Sequence, residues 1–256
     1  EITKAIFGNG QQDGQTLGAG VLRQFGKAKD GFDVVSNQFS IHYFFENLVI
    51  LSEFLRNVSE CCKVGGYFIG TSYDGRKVFQ HLEDKKIGES IHIIKDQIKM
   101  WEIKKEYSAK KFENNSNSVG FKINVYQESI NKMFPEYLVN FQYLTEIMEN
   151  FGFVLPSREE AREMGLPNSM GNFNEMFDLM EELVHSRRLK KSDVGRSLSM
   201  SADEKKISFL NKYFIFKKVR DVDARQVARM LSGQSEVQDI DDVKESLRLQ
   251  SVIDSS

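Results

Sequence analysis

Two cysteines, three prolines and a single tryptophan are spread over 256 residues, and no apolar run approaches the roughly 20 residues that a membrane-spanning helix needs. Cys61 and Cys62 are adjacent in sequence, a poor geometry for a disulfide and no ligand set for a metal. A disulfide-stapled or metal-stabilised fold is thereby excluded, and a reducing compartment is expected. The first residues, Glu1-Ile2-Thr3-Lys4, carry no secretory hydrophobic region, so the chain is expected inside the cell with no membrane partner. Charge of one sign is also lacking. The formal net charge is −2, so any affinity for nucleic acid must come from local patches rather than a global positive field. No internal repeat is found. With 40% hydrophobic and 28% charged residues, the chain has enough material for one large domain or two small ones.

Residues 32–46 are the most informative stretch. The β-branched run through Val34 and Val35 predicts a strand, which passes through Asn37 and Gln38 into His42 and Tyr43, where a helical pattern begins. In an open α/β sheet ligands bind beyond the carboxyl ends of the strands. Gln38, Phe39, His42 and Tyr43 are therefore candidate site residues.

From Phe44 the apolar residues Leu48, Leu51, Leu55, Val58 and Cys62 predict one helix of about five turns, stopped at Gly65-Gly66. A second strand follows over residues 67–71, then a helix through Val78, Phe79 and Leu82. This order argues a parallel βαβ unit. Residues 98–126, with Trp101 and Tyr107, a turn at 114–118 and alternation at Phe121, Ile123 and Val125, predict an antiparallel hairpin with one wet face. Trp101 is expected to pack beneath it. Pro135-Glu136 is read as opening a helix that runs to Gly152. Ser157 with Glu160 and Ser201 with Glu204 form capping-box patterns, and residues 213–216 predict a last strand. Met164, Met170, Met176 and Met180 are expected as core fillers. The glycines from Gly8 to Gly20 fit no phosphate-loop or dinucleotide fingerprint and predict a flexible surface loop. Beyond Arg220 the hydrophobic density falls, so residues 221–256 are expected as a tail, either a loose amphipathic helix or disordered chain.

Four separated places carry a family likeness: Gln38-Phe39 with His42-Tyr43; Gly65-Gly66-Tyr67-Phe68-Ile69-Gly70-Thr71; Phe134-Pro135-Glu136-Tyr137-Leu138-Val139; and Tyr213-Phe214-Ile215-Phe216. In order and spacing the chain resembles the messenger RNA cap guanine-N7 methyltransferases, in a form associated with the capping enzymes of large DNA viruses. The resemblance covers roughly residues 5 to 218. It implies an α/β, Rossmann-like class I methyltransferase fold over residues 1–220, lacking its N-terminal strands and carrying an inserted antiparallel hairpin. It implies S-adenosyl-L-methionine as cofactor, held by Gln38 and Tyr43, and a cap guanine held by Phe39, His42, Glu136 and Tyr213. Capped RNA is the implied partner, with other capping domains in the same polypeptide, in a nucleus, viral factory or virion. The family's acidic, glycine-rich cofactor loop is not visible before Phe32, and its usual proline after the second signature strand is Tyr73 here. Together with the missing initiator methionine, these departures read as part of a longer polypeptide.

The implied roles make chemical sense. A carboxylate accepts from both the ring N–H and the exocyclic amine of guanine, a pattern adenine does not offer. The guanine N7 lone pair is free, so its attack on a sulfonium methyl needs no acid or base, and proximity dominates. Two rivals follow from the same residues: a non-catalytic or stimulatory subunit with a degenerate fold, and a methyltransferase acting on another substrate. The lysine and arginine pairs at 104–105, 110–111, 187–188 and 190–191 are read either as a solvated face or as RNA contacts.

Overall fold

The computed structural model of the protein describes residues 2–9, 12 and 14–233. In chain order it contains α1 (Ile2–Ile6), α2 (Gly14–Leu22), β1 (Phe32–Gln38), α3 (Leu48–Cys61), β2 (Cys62–Tyr73), α4 (Gly75–His81), β3 (Ser90–Lys95), β4 (Ile98–Lys105), β5 (Lys122–Gln127) and β6 (Lys132–Tyr137). It continues with α5 (Phe141–Asn150), β7 (Phe153–Val154), α6 (Arg158–Glu163), β8 (Met170–Asn172), α7 (Phe173–His185), α8 (Ala202–Ser208), β9 (Asn211–Lys218) and α9 (Ala224–Ser232). A main sheet has the order β1-β2-β9-β7, with β8 also paired to β9, and a separate antiparallel sheet has the order β3-β4-β5-β6.

β1 and β2 are parallel and joined through α3, the expected βαβ unit. β9 runs antiparallel between β2 and β7. Among the described residues no strand pairs with the other edge of β1, where Phe32 and Val34 are exposed. The core between sheet and helices is aromatic: Phe45, Phe68, Phe151, Phe153 and Phe216 are fully buried. Leu51, Leu55 and Val58 supply one face of α3 to it. Ala224 and Ala228 of α9 are buried in the same cluster, and their small side chains let α9 lie close on α3. The carbonyls at the end of α3 are met by the buried Lys218, whose Nζ donates to Ser59 and Cys62 oxygens at 2.9 Å, favourable at the negative end of a helix.

Several expectations change. The single helix from Phe44 is a 3₁₀ turn, Ile41–Glu46, followed by α3, because Asn47 in extended conformation accepts from the Ile50 N–H and caps a new helix. Gly65-Gly66 does not end a helix. It forms a bulge inside β2, with Gly65 at φ +83° and the register slipping between Phe32 and Val34. The expected hairpin is half of a four-stranded sheet, because Asp96 and Gln97 both adopt positive φ and make a tight β3–β4 turn of the primed kind. Pro135-Glu136 opens no helix. The alternation Lys132, Phe134, Glu136 belongs to edge strand β6, where the missing proline N–H is tolerated, and α5 starts instead at the Asn140 cap, which accepts from Tyr143. The glycine-rich segment was expected as a loop, yet its residues 14–22 are helical with a break at Gly18; Gly10 lies outside the described residues. Met164 is exposed rather than a core filler. Of the expected tail, residues 224–232 form α9, and residues beyond 233 lie outside the described residues.

Gly70 lies where β1, β2 and β9 meet, and a Cβ there would stand 2.4 Å from the Asn37 oxygen and 2.4 Å from the Phe214 ring. Neither atom is free to withdraw without moving the sheet. Gly70→Ala is expected to lose about 2–3 kcal/mol of stability in urea unfolding; an unchanged midpoint would show that this junction yields.

Candidate functional site

The carboxyl end of β1 is built by a local latch. The Thr71 hydroxyl on β2 donates to Gln38 Oε1 at 2.9 Å, and Gln38 Nε2 donates to Ser36. The Phe39 N–H then reaches the Thr71 carbonyl at 2.9 Å with Phe39 at φ +52°, a left-handed conformation that is uncommon for an aromatic residue. This turn throws the chain off the sheet and into the Ile41–Glu46 turn, whose Ile41, His42 and Phe45 are buried. The same turn packs on β6. Residues 94 positions apart, His42 and Glu136, thereby face each other.

Their geometry is unusual. His42 Nε2 and Glu136 Oε2 are 3.7 Å apart, too far for a hydrogen bond. Both side chains are about nine-tenths or more buried. Both imidazole nitrogens and Glu136 Oε2 lack a hydrogen-bond partner among the described residues. Burial lowers the His42 pKa to about 4 and raises that of Glu136 to about 7. The imidazole is thus neutral at physiological pH, and the contact is not an ion pair. Each such buried orphan costs about 1–3 kcal/mol.

These two groups line a cleft of about 550 Å³ with Phe39, Tyr43, Tyr73 and Trp101. The Tyr43 ring leans on His42 at 4.2 Å, and burial together with the Glu136 charge holds its hydroxyl protonated. The cleft lining includes no lysine or arginine, and Glu128 is its second acid. Gln38 and Tyr213 stand elsewhere. Gln38, Thr71 and Tyr213 are cross-strand neighbours, so they share one face of the sheet. They line an apolar cleft of about 610 Å³ under Phe173, Met176 and Met180. The Tyr213 hydroxyl donates to the Asn168 oxygen at 3.1 Å. The Phe39–Phe173 edge contact, 6.0 Å between centroids, marks where the two clefts meet.

The structure therefore brings Phe39, His42, Tyr43 and Glu136 together and leaves Gln38 and Tyr213 beside them. Tyr73, Trp101, Gln127 and Asn211 complete the cleft; from the sequence, Trp101 is expected to pack beneath the hairpin, Tyr73 stands only as a departure from the family pattern, and Gln127 and Asn211 are not singled out. The Trp101 indole donates to the Tyr73 hydroxyl at 3.0 Å, and burial pushes Tyr73 up to about 12. Tyr73 was findable, because it ends β2 next to the end of β1, where the carboxyl-end rule applies equally. Among the basic residues, Lys105 is no part of an RNA face. It is buried, and its Nζ donates to the Leu82 oxygen at 2.9 Å.

The titration of Glu136 has a definite sign. Its folded pKa of about 7 exceeds the ordinary 4.5, so the native state keeps the extra proton and the penalty of the buried charge grows as pH rises through that window. His42 acts oppositely: its folded pKa of about 4 lies below 6.5, and its penalty grows as pH falls from 6.5 to 4. Glu136→Gln removes only the first effect. The variant is expected to match the parent near pH 4.5 and to exceed it by on the order of 2–3 kcal/mol at pH 8, read from urea midpoints; a variant weaker at pH 8 would mean the carboxylate has a partner after all.

Comparison with known proteins shows the family. The model of the mRNA (guanine-N(7))-methyltransferase domain family matches residues 13–219. An mRNA cap guanine-N(7) methyltransferase of Candida glabrata is 29% identical over 222 residues, 85% of this chain and 51% of that protein. The mRNA cap guanine-N(7) methyltransferase 1 of Arabidopsis thaliana is 28% identical, over 79% of this chain and 52% of that protein. The chain thus spans about half the length of the curated relatives it matches. Among solved structures, an S-adenosylmethionine-dependent methyltransferase from Clostridium acetobutylicum aligns with 54% of this chain and 62% of its own at TM-score 0.32 and 14% identity. The fold assignment rests on strand order and the family match, which spans both sheets and all four signature segments: the chain belongs to the mRNA (guanine-N(7))-methyltransferase domain family, with its α/β, Rossmann-like class I fold.

Proposed function

We propose that this chain methylates N7 of the guanine that caps messenger RNA, with S-adenosyl-L-methionine as methyl donor. One observation carries the reading: His42 and Glu136 are buried side by side in the wall of one cleft, and both imidazole nitrogens and Glu136 Oε2 have no hydrogen-bond partner among the described residues. Both line the same cleft, so a ligand seated there can satisfy each of them in turn. Glu136, as a carboxylate, accepts from the N1–H and the exocyclic amine of guanine. His42 in its neutral form donates one N–H to the guanine carbonyl oxygen. Adenine presents an acceptor at its corresponding ring nitrogen and an amine where guanine has its carbonyl, so both contacts fail. Phe39 and Tyr43 offer rings for the base to pack against, and Tyr213 bears on the site from the neighbouring cleft.

The chain's own residues suit the charge that develops. When the guanine N7 lone pair forms its bond to the methyl carbon, the carbon–sulfur bond breaks and its electron pair stays on sulfur, leaving the purine cationic. That charge makes the purine N–H groups stronger donors, so the contact to Glu136 tightens most in the transition state, which is where binding accelerates a reaction. A cleft lined by Glu128 and Glu136 and by no lysine or arginine repels neither a sulfonium nor a cationic product. Bound S-adenosyl-L-methionine would supply the electrophilic methyl; Tyr43, whose hydroxyl stays un-ionised, and Gln38 at the strand end are the residues that would hold it. No proton is transferred, so alignment supplies most of the effect, on the order of 7–11 kcal/mol for well-oriented partners.

The methyltransferase domain proposed for residues 1–220 extends to α9, since Ala224 and Ala228 share its main core. Capping domains in the same polypeptide would supply the capped 5′ end, inside the cell, in a nucleus or a viral factory. No helix among the described residues is long and apolar enough to cross a membrane. In the full-length protein, Glu136→Ala is expected to lower kcat/KM for capped RNA by about 100-fold or more, with S-adenosylmethionine affinity level within about threefold. Unchanged methyl transfer to the guanine cap would remove the guanine slot and favour another substrate; no transfer by the parent would favour a non-catalytic role.

A further inference from the structure

The guanine slot does not end at Glu136. A smaller recess of about 160 Å³, lined in part by Phe134 and Lys132, shares Tyr43, Gln127, Ile130 and Glu136 with the main cleft, so the two form one depression. The strand explains the alignment. Glu136, Phe134 and Lys132 of β6 pair with Ile123, Val125 and Gln127 of β5, and alternate residues of a strand point to one face about 7 Å apart. A carboxylate, an aromatic ring and an ammonium group therefore follow one another along a single row leading out of the cleft. Phe134 is 37% exposed and Tyr43 46%, so two rings stand on this path without being packed away. Lys132 forms no ion pair among the described residues. It is the basic residue in the lining of the recess, beside a cleft whose lining has none.

We propose that this row of β6 is the track for the RNA that follows the cap, with Phe134 stacking on a transcribed base and Lys132 meeting backbone phosphate. The inference rests on the guanine reading of Glu136 and extends it. An exposed ring followed one strand repeat later by a cation is the pairing that single-stranded nucleic acid requires: every base has a face to stack, and every linkage a charge to meet. The position also fits the chemistry of the cap. A slot that seats the guanine must release its phosphate bridge toward solvent, and the recess beside Glu136 is continuous with it. Pro135 leaves β6 a poor template for a further strand, so the edge stays open for a ligand that reads side chains.

The test compares two substrates of the full-length protein, guanosine triphosphate and a short capped RNA, which share the guanine and differ in the chain beyond it. Phe134→Ala is expected to raise KM for the capped RNA about tenfold, to change KM for guanosine triphosphate by less than about twofold, and to be rescued by Phe134→Tyr. Lys132→Ala is expected to reduce the slope of log affinity against log salt by about 0.7 for capped RNA. Equal loss on both substrates, or no loss on either, overturns the track. A parent protein that methylates neither substrate overturns the guanine reading, and the track falls with it; methylation of both by every variant with the parent's KM values overturns the track alone.

Discussion

Keeping an imidazole and a carboxylate dry and 3.7 Å apart is the constraint on which the rest of this molecule turns. Neither group gains from the other. The imidazole is neutral, the carboxylate titrates near neutrality, and the separation is too long for a hydrogen bond. Left to relax, two such groups would rotate toward water or toward each other. They are held by the packing behind them: Ile41 and Phe45, both fully buried, anchor the 3₁₀ turn that carries His42, and Ile123 fixes β6 in register opposite Glu136. The binding energy available to a ligand at this place is in part the relief of that unsatisfied polarity.

Two sheets cooperate to make this possible. The main sheet ends β1 and β2 at the same level through their parallel pairing, and the strained Phe39 redirects the chain across the opening. The second sheet brings its edge strand β6 to meet that turn. Between them, the Trp101 to Tyr73 hydrogen bond ties the wall of one sheet to the end of the other. A site built on strands and a short buried turn is stiffer than one built on loops, which suits the alignment-driven transfer proposed for it. The apolar cleft under α7 lies on the other side of the Phe39–Phe173 contact and borders Gln38 and Tyr213, so the two clefts share an aromatic divide.

Much of the local grammar was legible before the structure. The β-branched run at Val34 and Val35, the helical spacing of Leu51, Leu55 and Val58, and both capping boxes describe single elements whose signal is contained in a few neighbouring residues. Two of the failures share one cause. Pro135-Glu136 has the composition of a helix start, and only the alternation of Lys132, Phe134 and Glu136 against β5 makes it a strand. Gly65-Gly66 has the composition of a helix stop, and only pairing with β1 makes it a bulge. In each case a tertiary neighbour outweighed a local preference of about 1 kcal/mol.

The amino-acid sequence by itself determined the parallel βαβ unit and the candidates at the carboxyl end of β1, because hydrophobic periodicity and the order of elements are local properties that survive without a partner. Only the tertiary structure decided that Glu136 looks at His42, that Tyr73 and Trp101 close the cleft, and that Gln38 and Tyr213 belong to the adjoining one. Facing across a cleft is a relation between two sheets whose strands are distant in sequence. It is fixed by which edges pair and which turns are strained, and no spacing along the chain encodes it.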